Sequence, residues 1–155
     1  MTAIATVNVA TVQAALGELL KTNAALMDMT ALSIEHGEAI LDDENKCPWI
    51  GVYCVGVTYE LRTLGFGAGM RYQRMQFWLV CKEQSPNSGS DCTTKLETLV
   101  QAVNSAVLSD TSLGGTVDTL EDFRTDYPAW GKTAGGVYLQ TAVTQFTATT
   151  TVTGG

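Results

Sequence analysis

Two runs dominated by aromatic and β-branched residues, WIGVYCVGVTYEL (49–61) and RYQRMQFWLVCKE (71–83), stand on either side of the glycine-rich stretch LGFGAG (64–69). Such side chains pack best on a pleated surface, and neither run repeats at the three- and four-residue steps of a helix. In the second run Met75, Phe77, Leu79 and Cys81 alternate with Arg74, Gln76 and Trp78, so one face is apolar and the other polar. The first run has too little polar content for an exposed helix and reads as one long strand or a bent pair, with Gly51 and Gly56 as bends or bulges. The two together predict an extended antiparallel hairpin with a long glycine-rich tip. Cys47-Pro48 ends the segment before it, because proline holds its predecessor extended and cannot donate to a ladder.

Around this hairpin the periodicity changes. Val9, Val12, Leu16, Leu19, Leu20 and Leu26 recur at helical steps, with Asn8 or Thr11 as the N-cap. Leu96, Leu99, Val100, Val103 and Val107 form the buried face of a second helix that Ser90 or Asp91 caps and that ends near Leu108. Three further strands are expected: Met29 to Ile34, Val117 to Tyr127, and a last one from Val137 that ends in threonine-rich sequence. Pro128 to Gly136 reads as a broad turn, Gly114-Gly115 closes the connection after the second helix, and the final threonine and glycine residues are expected to leave the sheet as a flexible end. The sum is one α+β domain over residues 1–155: an antiparallel or mixed β-sheet of about five strands with a long β-hairpin, packed by two α-helices.

Charge narrows the function. Lys plus Arg number 9 against 16 Asp plus Glu, a net charge of −7, so the chain lacks the basic surface with which proteins grip phosphate backbones. Charged residues make only 16% of it, below the roughly 25% of ordinary soluble domains, which points to surface committed to contacts. No apolar run approaches the ~18 residues of a membrane span, and the first basic residue, Lys21, comes too late for a secretory signal, so a cytosolic protein is expected when it is made. The four cysteines, Cys47, Cys54, Cys81 and Cys92, form no CxxC pair and are expected as free thiols.

No motif for catalysis, cofactor or metal emerges. Gly65, Gly67 and Gly69 imitate a phosphate-cradling turn, but a strand pattern follows them where such a turn must open a helix. His36 is the single histidine and stands beside no recognised nucleophile motif; with Cys47, Cys54 and Cys92 its spacing lacks the short paired steps of a zinc site. Glu35, Glu38, Asp42, Asp43 and Glu44 crowd one stretch without the order of acids and glycine of a calcium loop, so a solvated excursion is expected. A long hairpin leaves sheet edges to be covered, and identical neighbours are one cover.

The order helix, strand, CPWIGVYCVGVTYEL, glycine-rich tip, RYQRMQFWLVCKE, the helix from Cys92 to Leu108, then TVDTLEDFRTDYP and GGVYLQTAVTQF resembles the tail terminator (tail completion, head-tail joining) proteins of tailed phages. The likeness is one of architecture across nearly the whole chain. It implies an antiparallel sheet packed by two helices and a homohexameric ring at the head-proximal end of the tail tube. The ring's partners are then the tail-tube protein and the head-tail connector or stopper, and genomic double-stranded DNA passes through the lumen without specific binding. The implied place is the virion neck, reached from the host cytoplasm during assembly, and the function is structural, not enzymatic. On that reading Arg71 and Arg74 are candidate subunit-interface residues, and Glu35, Glu38, Asp42, Asp43 and Glu44 are candidate lumen or interface acids, since like charge keeps a polyanion off a wall.

Three other readings are open at the level of sequence. The chain is a connector, stopper or tail-tube subunit, sharing the need for ring geometry. It is a small enzyme with Cys47 as thiol and His36 as base, which requires a depressed thiol pKa. Or it is a ligand-binding domain using the aromatics Trp49, Tyr53, Tyr59 and Trp78.

Overall fold

Alternation in the second β-rich run sets the plane of the molecule, because every other side chain of its strand must be buried. The computed structural model describes residues 7–29, 32–36, 47–61, 70–132 and 136–153. In chain order they form α1 (Val9–Thr22), α2 (Ala24–Met27), β1 (Ser33–His36), β2 (Trp49–Leu61), β3 (Met70–Ser85), α3 (Gly89–Leu108), β4 (Thr119–Lys132) and β5 (Tyr138–Thr153). The strands make one five-stranded sheet in the order β1-β2-β3-β5-β4. β1 runs parallel to β2 and all other pairs are antiparallel, so the sheet is mixed and the fold is α+β.

Asn8 caps α1, its Oδ1 accepting from the Ala10 N–H at 2.8 Å. Val12, Leu16 and Leu20 are buried along one side, as their spacing requires. Extended backbone at Asn23 ends α1, and the same side chain accepts from the Leu26 N–H at 3.2 Å and opens a single further turn, α2. That turn brings Leu26 into the core and adds a third helix to the expected two. It also takes up Met27, so the first strand begins at Ser33 and not at Met29. α3 starts two to three residues before expectation: Ser88, not Ser90 or Asp91, is the cap, accepting from the Asp91 N–H at 3.0 Å.

The core lies between the helices and one face of the sheet. Ile50, Val52, Met75, Phe77, Leu79, Cys81, Ala142, Phe146 and Ala148 meet Leu96, Leu99, Val103 and Val107 of α3 and the buried side of α1. At its centre Phe146 stacks on Phe77 and on Phe123, each pair with ring centroids 5.7 Å apart. α3 also carries a polar group into this layer. Thr144 is fully buried and donates to Asn104 Oδ1 at 2.7 Å, Asn104 Nδ2 donates to Thr125 Oγ1 at 3.1 Å, and the two threonine hydroxyls lie 2.9 Å apart.

β2 is one long strand. Its register slips between Cys54 and Gly56, leaving Val55 as the extra residue of a bulge, and from there on the opposite parity faces the core. Gly51 is not a bend: a Cβ there would come within 2.7 Å of the Tyr53 ring and press against the Trp49 indole, so the glycine makes room for two rings. The threonine-rich end does not leave the sheet. β5 pairs with β3 from Tyr138 to Thr153, because β3 is equally long and supplies a partner at every position. Pro128 likewise does not end β4, which continues to Lys132; the proline lies at a register slip between Asp126 and Ala129 on an edge strand, where its missing N–H is tolerated. The glycine-rich tip at 64–69 lies outside the described residues.

Candidate functional site

Helices cover one face of the sheet, and the other has two zones. At one end Trp49, Val80 and Val143 are buried together with Tyr53 against them. Lys82, only 1% exposed, reaches over this cluster with its Nζ 5.2 Å from the centroid of the Trp49 ring, so its stem is packed and its charge meets an aromatic face. Toward the middle the face opens. Trp78, the cross-strand neighbour of Tyr53 and Gln145, is 41% exposed.

Beside Trp78 lies a depression of about 520 Å³ lined by Gln76, Trp78, Asp122, Arg124, Gln145 and Thr147 together with Phe77, Phe123 and Phe146. A second register slip in β4, between Glu121 and Arg124, shapes its rim, and Asp122 takes a left-handed backbone (φ 54°) there. Three side chains at the rim fix one another. Arg124 Nε lies 3.3 Å from Asp126 Oδ2, Gln145 Nε2 donates to the same oxygen at 2.8 Å, and Arg124 Nη2 donates to Gln145 Oε1 at 3.4 Å. Arg124, Asp126 and Gln145 are thereby held in place beside an exposed indole, and aromatic and arginine side chains are the types enriched where proteins meet.

A second feature lies on the outside of the helix layer. Asn23, Ala25, Asp28 and Met29 face Thr98, Gln101, Ala102 and Ser105 across a groove of about 430 Å³ between α2 and α3.

Of the candidate residues read from sequence, Arg74 projects from the open face and pairs with Glu60 at 3.3 Å, while its buried Nε has no hydrogen-bond partner among the described residues. Arg71 is placed by its backbone alone, in β3 opposite Leu61 and Val152. Glu35 is half-buried in β1 opposite Gly51. Gly51 and Thr58, the partner of Arg74, are roughly 23 Å apart along β2, so the sheet does not bring Glu35 to Arg74. Glu38, Asp42, Asp43 and Glu44 lie outside the described residues.

The two positions named for the enzymatic alternative, Cys47 and His36, are separated along the sheet by register. β1 runs parallel to β2, and His36 pairs with Val52, about 16 Å of strand beyond Cys47. None of the four cysteines is in a disulfide. Burial pushes the Cys81 thiol up to about 12 and raises Cys54 and Cys92, the reverse of what activates a nucleophile. The four aromatics do not share one face: the bulge at Val55 puts Tyr59 opposite Gln73, on the helix side, while Trp49, Tyr53 and Trp78 stay on the other.

Sequence reasoning missed two polar devices and one groove. Asn104 interrupts the apolar face of α3 between Val103 and Val107, a visible signal of a buried polar contact. Gln73, 1% exposed, accepts from the Val7 N–H and donates to the Val7 C=O, both at 2.8 Å, clasping the chain before α1 as a neighbouring strand does. The groove between α2 and α3 had no signal, since it depends on the turn added after Asn23. Compared with known proteins, the sequence matches no family model and no curated protein.

Proposed function

We propose that this chain is a structural virion protein of a tailed phage, acting as a homohexameric ring that caps the head-proximal end of the tail tube and joins it to the head-tail connector or stopper. The observation that carries the reading is the one-sided layering: a five-stranded mixed sheet with helices on one face, and on the other an indole, two arginines and a row of amides and threonines offered to a neighbour. A sheet face of that composition is a contact surface in search of a second layer. The order of elements from which the resemblance was drawn is also the order of α1, β1, β2, β3, α3, β4 and β5 along the chain.

Capping needs no covalent chemistry. A ring subunit presents one surface to the last tube ring, another to the connector, and two more to its neighbours; growth stops because the adding surface is occupied. The net charge of −7 lets DNA pass a wall that does not hold it. In this reading Arg71 and Arg74 make contacts between subunits, and Glu35, Glu38, Asp42, Asp43 and Glu44 face the lumen or the adjoining subunit.

The test is tube growth. Purified protein added to polymerising tail-tube subunits of the same phage is expected to arrest tubes at short length, and negative-stain images of the concentrated protein to show six-membered rings. Unchanged tube length at saturating protein would overturn the capping role. Arg71→Ala with Arg74→Ala is expected to reduce ring formation, and charge reversal of three of the five acids to impair ring assembly or genome ejection.

A further inference from the structure

We propose that neighbouring copies pack the open sheet face of one against the helix layer of the next, with Trp78 seated in the groove between α2 and α3. The inference deepens the ring reading and rests on it only in taking the partner to be a second copy of this chain.

Three observations point to that occupant. The first is size. Beyond the end sealed by Trp49, Val80 and Val143, the face stays open across β3, β5 and β4, about 14 Å at ~4.8 Å spacing, wide enough to seat a helix of about 10 Å diameter. The second is shape. Trp78 is the large exposed apolar side chain in the middle of that face, and the groove of about 430 Å³ is walled by short side chains, Ala25, Ala102, Thr98 and Ser105, that let an indole approach the helix backbones. Met29 in its lining adds a thioether for the ring. The third is charge. Arg124 lines the depression beside Trp78 and Asp28 lines the groove, so seating the indole brings an exposed cation to an exposed anion. The pairing of Arg124 with Asp126 does not oppose this, because an exposed ion pair of that kind contributes little.

The contact is heterologous: knob and groove lie on opposite layers of one molecule, so each copy uses one of each, and it closes into a ring where the rotation between copies is that of the sixfold reading.

The experiment uses two variants that break opposite halves of the contact. Trp78→Ala removes the knob and Ser105→Trp fills the groove from an exposed position; each is checked for folding by circular dichroism, and assembly is read by mass photometry and sedimentation. Each alone is expected to weaken association at least ~30-fold. Mixed one to one, they are expected to form dimers, since one intact knob and one intact groove remain. The independent pair Arg124→Glu and Asp28→Arg covers the case of misfolding: each alone weakens assembly and the double variant restores it. Wild-type assembly by either Trp78→Ala or Ser105→Trp, a mixture that stays monomeric, or wild-type protein that is monomeric at every concentration would overturn the contact. Rings that depend on Trp78 yet leave tube length unchanged would overturn the capping role and keep this contact.

Discussion

The same strands carry both faces of the sheet, yet the two faces answer to different constraints. On the helix side Phe77 and Phe146 are sealed by α3 and stacked ring on ring, and every polar group there, Thr144, Thr125 and Asn104, has its partner within the chain. One residue along, Trp78 and Gln145 stand on the other side in an open depression. Burial within one chain writes the first pattern. The second is a surface whose aromatic and cationic groups are fixed by neighbours but not covered. The difference teaches that alternation alone tells which parity is core, not whether the other parity faces water or a partner.

The sharpest way to break the comparison is to truncate adjacent aromatics. Phe146→Ala removes the middle ring of the Phe77, Phe146, Phe123 stack and is expected to cost about 3–5 kcal/mol in urea unfolding. Trp78→Ala, on a side chain 41% exposed, is expected to change the stability of the isolated subunit by no more than ~1 kcal/mol. Equal losses at the two positions would mean that the open face is held by the chain itself.

Polar and glycine positions give smaller effects of about 1–3 kcal/mol. Thr144→Val keeps the shape but leaves Asn104 Oδ1 without its donor in the sealed layer. Adding Asn104→Leu is expected to cost less than the sum of the two single changes, because the groups belong to one network. Gly51→Ala places a methyl group against the Trp49 and Tyr53 rings on the other face. It is expected to shift tryptophan fluorescence while the Phe77 and Phe146 stack is kept; an unshifted spectrum with undiminished stability would show that those rings do not rest on the glycine.

Much of the fold was legible because local signals agreed. Asn8 and the spacing of Leu96, Leu99 and Val103 mark two helices, the first capped where expected and the second capped by Ser88, two to three residues before the expected place. The long hairpin was legible from composition, its bulge only in outline, since Gly56 marks the region but Val55 is the residue that loops out. What was misread depended on partners distant in sequence. Thr147 to Thr153 look like a tail until β3 supplies a mate for each, and Pro128 looks like a terminator until β4 is seen to lie at an edge. The candidate site was legible only in part. Arg74 is on the open face as its alternation implies, but the groove exists because Asn23 stops one helix and starts another, a tertiary choice that no period announces.

Lys82 and Glu83 offer the finest comparison, two adjacent buried charges on opposite faces. Lys82 has the Trp49 ring beneath it. Glu83 points to the helix layer under the start of α3, where burial raises its carboxyl above the ordinary value of 4.5, against the smaller opposing pull of the Gln84 N–H and Lys95. A raised carboxyl means that the folded state holds the proton more tightly than the unfolded one. The favourable contribution of neutral Glu83 is therefore present below about pH 4.5 and is lost as pH rises through its folded value. Asp91 nearby has the opposite sign, held low by the Ser85 hydroxyl, but it is present in both proteins and cancels from their difference. Glu83→Gln keeps an oxygen for the Gln84 N–H and removes the charge, so it is expected to stabilise by up to ~1 kcal/mol at pH 7 and by nothing below pH 4. Urea unfolding of both proteins between pH 3 and pH 8 reads this directly, and a difference that does not vary with pH would show that Glu83 is solvated rather than sealed.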